Sequence, residues 1–202
     1  MTSHALAHLA PVAALLNQGS APADVPDNPD ILQGGWRPGA VHQALGLITR
    51  ADPQFAGRSF TAAGHTHLLL AEDTKHDCLL YLRLYAEGSP GPEEATEKTV
   101  TLTLAGTSHV ECYRHQGDVG DDHPWLVRTF AEESIYACHP GTLRTIETSD
   151  DGCQLVLART ALAAPVGAAP LTAYSYREAL GTAQRILTAA LPGDETAAEV
   201  TA

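Results

Sequence analysis

From residue 58 onward, polar and apolar positions follow a period of two far more often than a period of 3.6. The run Thr99 to Leu104 is the clearest case: Thr99, Thr101 and Thr103 fall on one face, and Val100, Leu102 and Leu104 on the other. That alternation predicts a strand. Similar runs near 65–71, 77–87, 98–105, 108–114, 125–130, 134–138, 143–148 and 153–159 predict about eight short strands. Turn chemistry separates them at Glu72-Asp73-Thr74-Lys75, Gly88 to Pro92, Gly106-Thr107, Pro140-Gly141 and Ser149 to Gly152. Many short strands with little helix between them argue for an antiparallel sandwich or barrel.

The flanks have the helical period. Leu6, Leu9, Ala13 and Leu16 behind Ser3 predict a helix over 3–17, and Val41, Ala44, Leu45 and Ile48 predict a second over 40–49. Between them, 18–39 is dense in Pro, Gly, Asp and Asn and reads as an irregular connection packed by Ile31, Leu32 and Trp36. After an Ala/Pro-rich stretch at 161–170, Leu180, Ala183, Ile186, Leu187 and Leu191 give an apolar face to a helix over roughly 172–190, stopped by Pro192-Gly193. The expected organisation is an N-terminal helical and irregular extension (1–57), a β barrel (58–160), a linker and helix (161–192) and a disordered tail (193–202).

Composition narrows the function classes. The chain has 202 residues and a formal net charge of −12. A surface this acidic repels phosphate backbones and anionic lipid, so no nucleic-acid or membrane partner is expected. The start, Met1 to Ala5, lacks the basic region of a secretory signal, and no apolar stretch approaches the ~20 residues of a spanning helix. The four cysteines, Cys78, Cys112, Cys138 and Cys153, form no CxxC pair and read as reduced and structural, which fits the cytoplasm.

Several segments together carry a resemblance. Cys78 to Gly88 leads into a Gly/Pro loop, and Lys98 to Ala105 ends at Gly106. Glu133 to Glu147 contains a Pro140-Gly141 turn, Gly152 to Ala158 follows, and Ala169 to Tyr176 leaves the barrel. This layout resembles the two-motif arrangement of the cupin superfamily, the RmlC-like jelly rolls. Within it, the chain is most similar in layout to the cysteine dioxygenase-like thiol dioxygenases, over roughly residues 58–176. The resemblance implies a mainly β fold: a cupin-type antiparallel jelly-roll barrel with short N-terminal helices and one C-terminal helix.

The metal ligands of that family do not carry over. Counting back from Gly106, the first-motif histidine places fall on Pro92 and Glu94, and the Glu/Cys place falls on Thr99. The second-motif histidine place falls on Leu143 or Arg144. Iron needs imidazole or carboxylate donors on converging positions. No cofactor is therefore expected. The alternative is a divalent Fe, Ni, Zn or Mn held by relocated ligands that include His65 and His67.

His65 and His67 are two apart on a predicted strand, so both imidazoles share a face, about 6.5 Å apart along the chain. They read either as part of a metal site or as polar positions at a barrel rim. His109, Cys112 and His115 do not converge, because Cys112 has the opposite parity to both histidines. His76-Asp77-Cys78 reads as turn polarity beside a buried thiol, and Cys138 and His139, as strand neighbours, point apart. Tyr81, Arg83 and Tyr85 share a face, which is either solvated or an inward carboxylate site. The resemblance places Arg58 where a substrate-carboxylate arginine stands, puts Arg144 at a lost-ligand position and turns Thr99, Thr101 and Thr103 inward. Solvent exposure of the threonines is the opposite register. A guanidinium at Arg144 attracts anions, or pairs with Glu94 or Glu147.

These features point to a metal-independent small-molecule enzyme of isomerase, cyclase or lyase type acting on an anionic metabolite. Arg144, Glu94 and Tyr81 are its candidate catalytic residues. Arg83, Arg58, Thr99, Thr101 and Thr103 are its candidate binding residues. The alternatives are a non-catalytic ligand-binding or regulatory cupin and a metal-dependent dioxygenase-like enzyme. Val100, Leu102 and Leu104 on the outer sheet face suggest a homodimer that covers them. No nucleophile elbow, P-loop or dinucleotide fingerprint is present.

Overall fold

The computed structural model describes residues 40–62, 64–73, 78–85, 92–113, 124–132, 134–148, 151–164 and 167–191. The helix expected over 3–17, the connection at 18–39 and the tail at 193–202 lie outside the described residues. Each of the eight expected strands is present, with ends that agree to within about two residues over the described positions. They are β2 (His65–Asp73), β3 (Cys78–Tyr85), β5 (Thr99–Ala105), β6 (Ser108–Tyr113), β7 (Leu126–Phe130), β8 (Ile135–Cys138), β9 (Leu143–Thr148) and β10 (Gly152–Ala158). Three others, β1 (Phe60–Ala62), β4 (Glu93–Glu94) and β11 (Ala169–Pro170), are too short to show a period. Strand β2 runs through Asp73, into what the sequence suggested was a turn.

The strands form two antiparallel sheets, ordered β11-β1-β2-β3-β10-β5-β8 and β4-β9-β6-β7. Strand β3 pairs with β10, β4 with β9, β5 with β8 and β6 with β7. Such nested pairing is one long hairpin rolled up on itself, the topology of a jelly roll. The sheets meet face to face where Tyr85 packs with Val110, Cys112 and Ile146, and where the Phe130 and Tyr136 rings stack 4.1 Å apart.

The main apolar core lies outside the roll. Leu68, Leu70, Leu80, Leu82, Leu84, Val100, Leu102, Leu104, Leu155 and Leu157 project from the outer face of the larger sheet. Helices α1 (Ala40–Thr49) and α2 (Ala173–Ala189) cover them. Helix α1 contributes Ala40, Ala44, Leu47 and Ile48, and α2 contributes Tyr176, Leu180, Ala183 and Leu187, each set at helical spacing. Thr172 caps α2: its hydroxyl accepts from the Ser175 amide at 3.1 Å, and its own amide donates to the Ser175 hydroxyl at 2.9 Å. The Tyr176 hydroxyl donates to the Leu69 carbonyl at 2.5 Å, tying the helix to β2. A register shift in β2 between Leu69 and Ala71 turns Leu70 and Ala71 both toward this core.

One inference from the sequence loses its ground here. Val100, Leu102 and Leu104 are buried under the chain's own helices, so they do not call for a second subunit. All four cysteines are buried thiols outside any disulfide. Among the described residues, no helix is long and apolar enough to cross a membrane.

Because α2 is part of the core, Leu187→Ala removes a fully buried side chain and is expected to cost roughly 2–5 kcal/mol. Urea unfolding followed by circular dichroism measures this. A loss below about 1 kcal/mol means that α2 is not integral to the fold.

Candidate functional site

With apolar residues serving the outer core, the inner face of the larger sheet is polar. The register of β2 and β3 sets His65 opposite Tyr85 and His67 opposite Arg83. On the other side of β3, Gln154 of β10 lies opposite Arg83, and Thr103 of β5 lies opposite Gln154. The threonine row therefore faces inward, with Thr99, Thr101 and Thr103 all buried. The smaller sheet adds Glu93 opposite Arg144. His65, His67, Arg83, Glu93, Thr99 and Arg144 line a cavity of about 610 Å³.

Charge dominates this cavity. Arg144 donates from Nε and Nη2 to one oxygen of Glu93, at 2.8 and 2.6 Å. The other Glu93 oxygen lies 3.8 Å from His65 Nε2. Burial alone would raise the Glu93 carboxyl, but Arg144 and then Arg83 outweigh it and hold the group at about 2. Arg144 is driven the other way: burial disfavours its charge, yet Glu93 keeps it protonated well above the usual arginine range.

Arg83 is 3% exposed and has no carboxylate in contact among the described residues. Its Nη1 donates to the Tyr85 hydroxyl at 2.7 Å, and its Nε has no partner. Burial opposes its charge, and Tyr85 and Glu93 nevertheless hold it protonated. Burial, and then Arg83, push His65 down to about 4 and His67 well below its usual value. Both rings are therefore neutral near pH 7. The two imidazoles sit edge to face, 4.7 Å apart, and His67 also stacks on Phe60.

Beneath the charges lies a neutral network. Gln154 Nε2 donates to the Ser108 hydroxyl at 3.1 Å and to the Thr103 hydroxyl at 3.4 Å, and the Tyr136 hydroxyl donates to Gln154 Oε1 at 3.4 Å. The Thr99 and Thr101 hydroxyls and both histidine Nδ1 atoms are buried without a partner. Buried polar groups are ordinarily satisfied, and of these Thr99, His65 and His67 line one cavity, which marks it as the candidate site.

The structure brings His65, His67, Arg83, Thr99 and Arg144 to one cavity, buries Thr101 and Thr103 on the same inner face outside its lining, and corrects three other assignments. Glu94 is exposed at the cavity mouth, and Glu93, one residue earlier and of opposite parity, pairs with Arg144. Glu147, the other suggested partner, is exposed as well. Arg58 is exposed and pairs with Glu72 outside the cavity. Tyr81 does face inward, but it packs with Leu69 and Val156, and its hydroxyl accepts from the Leu162 amide at 3.3 Å. It lies below the charged cluster, outside the cavity lining. Residues not singled out from sequence are Glu93, Gln154, Tyr136 and, as partner to Arg83, the Tyr85 hydroxyl. Gln154 left a signal, as the one polar side chain in the otherwise apolar run from Cys153 to Ala158.

The iron site that the dioxygenase resemblance implies does not fit these residues. The places that the resemblance assigns to ligands fall on Pro92, Glu94, Thr99 and either Leu143 or Arg144, and of these side chains only Glu94 is a metal donor. Among the described residues, no three His, Cys, Asp or Glu side chains gather so as to hold a metal ion. His67 has Arg83 as its cross-strand neighbour, and the carboxylate near His65, that of Glu93, is paired with Arg144.

No protein-family model matches the chain, and no curated protein does. Solved structures do. A cupin superfamily protein from Desulfitobacterium hafniense shares 15% identity, covering 48% of this chain and 79% of its own, at a TM-score of 0.36. An RmlC-like cupin from Shewanella frigidimarina shares 10%, covering 48% and 77%, at 0.37. KdgF from a Halomonas species shares 9%, covering 50% and 87%, at 0.38. The first two are cupins by description. The jelly roll of the present chain rests on its own strand pairing.

Two expected outcomes follow from the electrostatics. His65 has a folded pKa below its unfolded value of about 6.5, so its contribution is complete above that pH and is lost as pH falls toward 4. Glu93, depressed from about 4.5 to about 2, loses its contribution over that lower range. Thermal midpoints should therefore fall from pH 7 to pH 4. His65→Gln should flatten the upper part of the profile, where the histidine accounts for up to about 3 kcal/mol. A flat wild-type profile would contradict the burial of these groups. Arg144→Met leaves Glu93 without its cation and should cost roughly 3–5 kcal/mol. Arg144→Met combined with Glu93→Leu should recover most of that loss in the same denaturant titration.

Proposed function

We propose that this chain binds a small carboxylate-bearing metabolite inside the jelly roll and acts on it without a metal, by proton transfer, as an isomerase, cyclase or lyase. The observation that carries the proposal is unbalanced buried charge. Two buried guanidiniums, Arg83 and Arg144, face the cavity; of the three carboxylates that line it, Glu93 is committed to Arg144, while Glu94 is exposed and Glu97 half-exposed, where solvent screens their charge. The two imidazoles are neutral and add nothing to the sum. An isolated buried cation is costly, and an anion in the cavity offsets that cost. A carboxylate suits the planar guanidinium of Arg83, and the Thr99 hydroxyl, which lines the same cavity without a partner, supplies further hydrogen-bonding capacity.

His65 is the proton-transfer group in this reading. Neutral near pH 7, it can accept a proton from the ligand, and the nearby Glu93 oxygen stabilises the imidazolium that forms. Arg83 and Arg144 stabilise negative charge that develops on the ligand. A bound anion raises the proton affinity of His65, which Arg83 otherwise lowers, so binding and basicity reinforce each other.

A non-catalytic binding protein is the alternative. It is favoured by the Glu93–Arg144 pair, which holds one of the two guanidiniums in a structural ion pair, and by the buried setting of both histidine Nδ1 atoms.

Titration calorimetry with acetate, pyruvate, succinate and phosphate separates these readings. Carboxylates are expected to bind, and Arg83→Gln to weaken them at least tenfold. For the acids that bind, proton NMR in deuterium oxide is expected to show exchange of a ligand C–H that His65→Gln abolishes while binding persists. Binding with no exchange at any ligand position supports the non-catalytic alternative. Failure of every carboxylate to bind overturns the proposal.

A further inference from the structure

A second cavity, of about 260 Å³, lies on the far side of Arg144. It opens between β8 and β7, the edge strands of the larger and the smaller sheet, where no ladder joins them. Its character differs from that of the first. Leu126, Phe130 and Tyr136 line it, the Cys112 and Cys138 thiols are in its wall, and the half-exposed Trp125 stands beside them.

The two cavities share a wall. Arg144 lines both, and Thr99 of the first is the direct cross-strand partner of Cys138 of the second. One guanidinium therefore stands between a charged chamber and a mainly apolar one, whose polar lining is the exposed Arg128, the half-exposed His139, Thr142 and Arg144 itself. A ligand whose carboxylate lies near Arg83 and Arg144 has an apolar chamber adjoining it. The volume suffices for a ring, since a cavity of roughly 150 Å³ already admits benzene.

We infer that the second cavity is a subsite for an apolar, ring-sized group, so that the ligand is a carboxylate with an aromatic or branched aliphatic arm rather than a small polar acid. This rests on the anion site proposed above and adds the other half of the ligand. The thiols suit such an arm: burial raises the Cys112 thiol, so it is protonated and behaves as a small apolar group.

Propanoate and 3-phenylpropanoate differ only by the ring and make the test. Titration calorimetry on the full chain is expected to show 3-phenylpropanoate binding at least tenfold more tightly than propanoate. Cys138→Phe fills the second cavity and is expected to bring the phenyl acid down to the propanoate value while leaving propanoate itself unchanged. Cys138→Leu is the milder filling, and it should remove part of the gain if the larger substitution does not fold. Transferred nuclear Overhauser effects from the phenyl protons to Phe130 or Trp125 side chains should appear in the wild type. If both acids bind equally, or the gain survives both fillings, the subsite is overturned while the anion site stands. If neither acid binds and Arg83→Gln changes nothing, the anion site fails, and the subsite falls with it.

Discussion

The apolar layer between the larger sheet and its two helices is the contact on which the rest depends. Leu82, Val100, Leu155 and Leu157 on the sheet meet Ala44, Leu180, Ala183 and Leu187 on the helices. Hydrophobic burial scales with the apolar area removed from water, and here most of that area lies outside the roll. The inner face is thereby released from holding the fold together. It can carry two arginines, two histidines, a glutamate and a row of threonines, which a sheet relying on its interior for stability would not tolerate.

That division explains the electrostatics of the interior. Desolvation presses on every ionisable group there, and the groups respond differently according to their partners. Glu93 and Arg144 keep their charges by meeting each other. His65 and His67 give theirs up. Arg83 keeps its charge beside the Tyr85 hydroxyl, and among the described residues the buried groups of the interior carry a net positive charge inside a chain whose overall charge is −12. The acidic surface as a whole repels anions, while the cavity presents the guanidiniums of Arg83 and Arg144.

Much of the fold was legible in the sequence, and the limits have physical causes. The eight longer strands showed their period, while β1, β4 and β11, at two or three residues, are shorter than any period and exist through their neighbours. The alternation in β5 was plain, but alternation alone does not say which face is inside. In a strand covered on both faces, both sets of side chains are buried, and the usual rule of apolar in and polar out does not apply. The choice of Glu94 over Glu93 is a parity error of one residue, and a two-residue strand offers no pattern from which to correct it. Arg58 shows the limit of layout: its position before the barrel matched, yet it faces Glu72 in solvent. Cross-sheet partners such as Gln154 and Ser108, 46 residues apart, come together only once the roll is closed.

The nested pairing also sets a schedule for synthesis. On a chain that emerges from its N-terminal side, β6–β7 is the first nested pair with both members available, then β5–β8, then β4–β9, and β3–β10 last. Helix α2 follows them all, and its Tyr176 reaches back 107 residues to Leu69. Until α2 is made, the leucine-rich outer face of the larger sheet lacks part of its cover. Contacts this distant in sequence form slowly, and exposed apolar sheet is what associates with other chains in the meantime. The arrangement that leaves the interior free for chemistry therefore carries its hazard during birth, when the nascent chain presents its core side to the cell before the last helix arrives to close it.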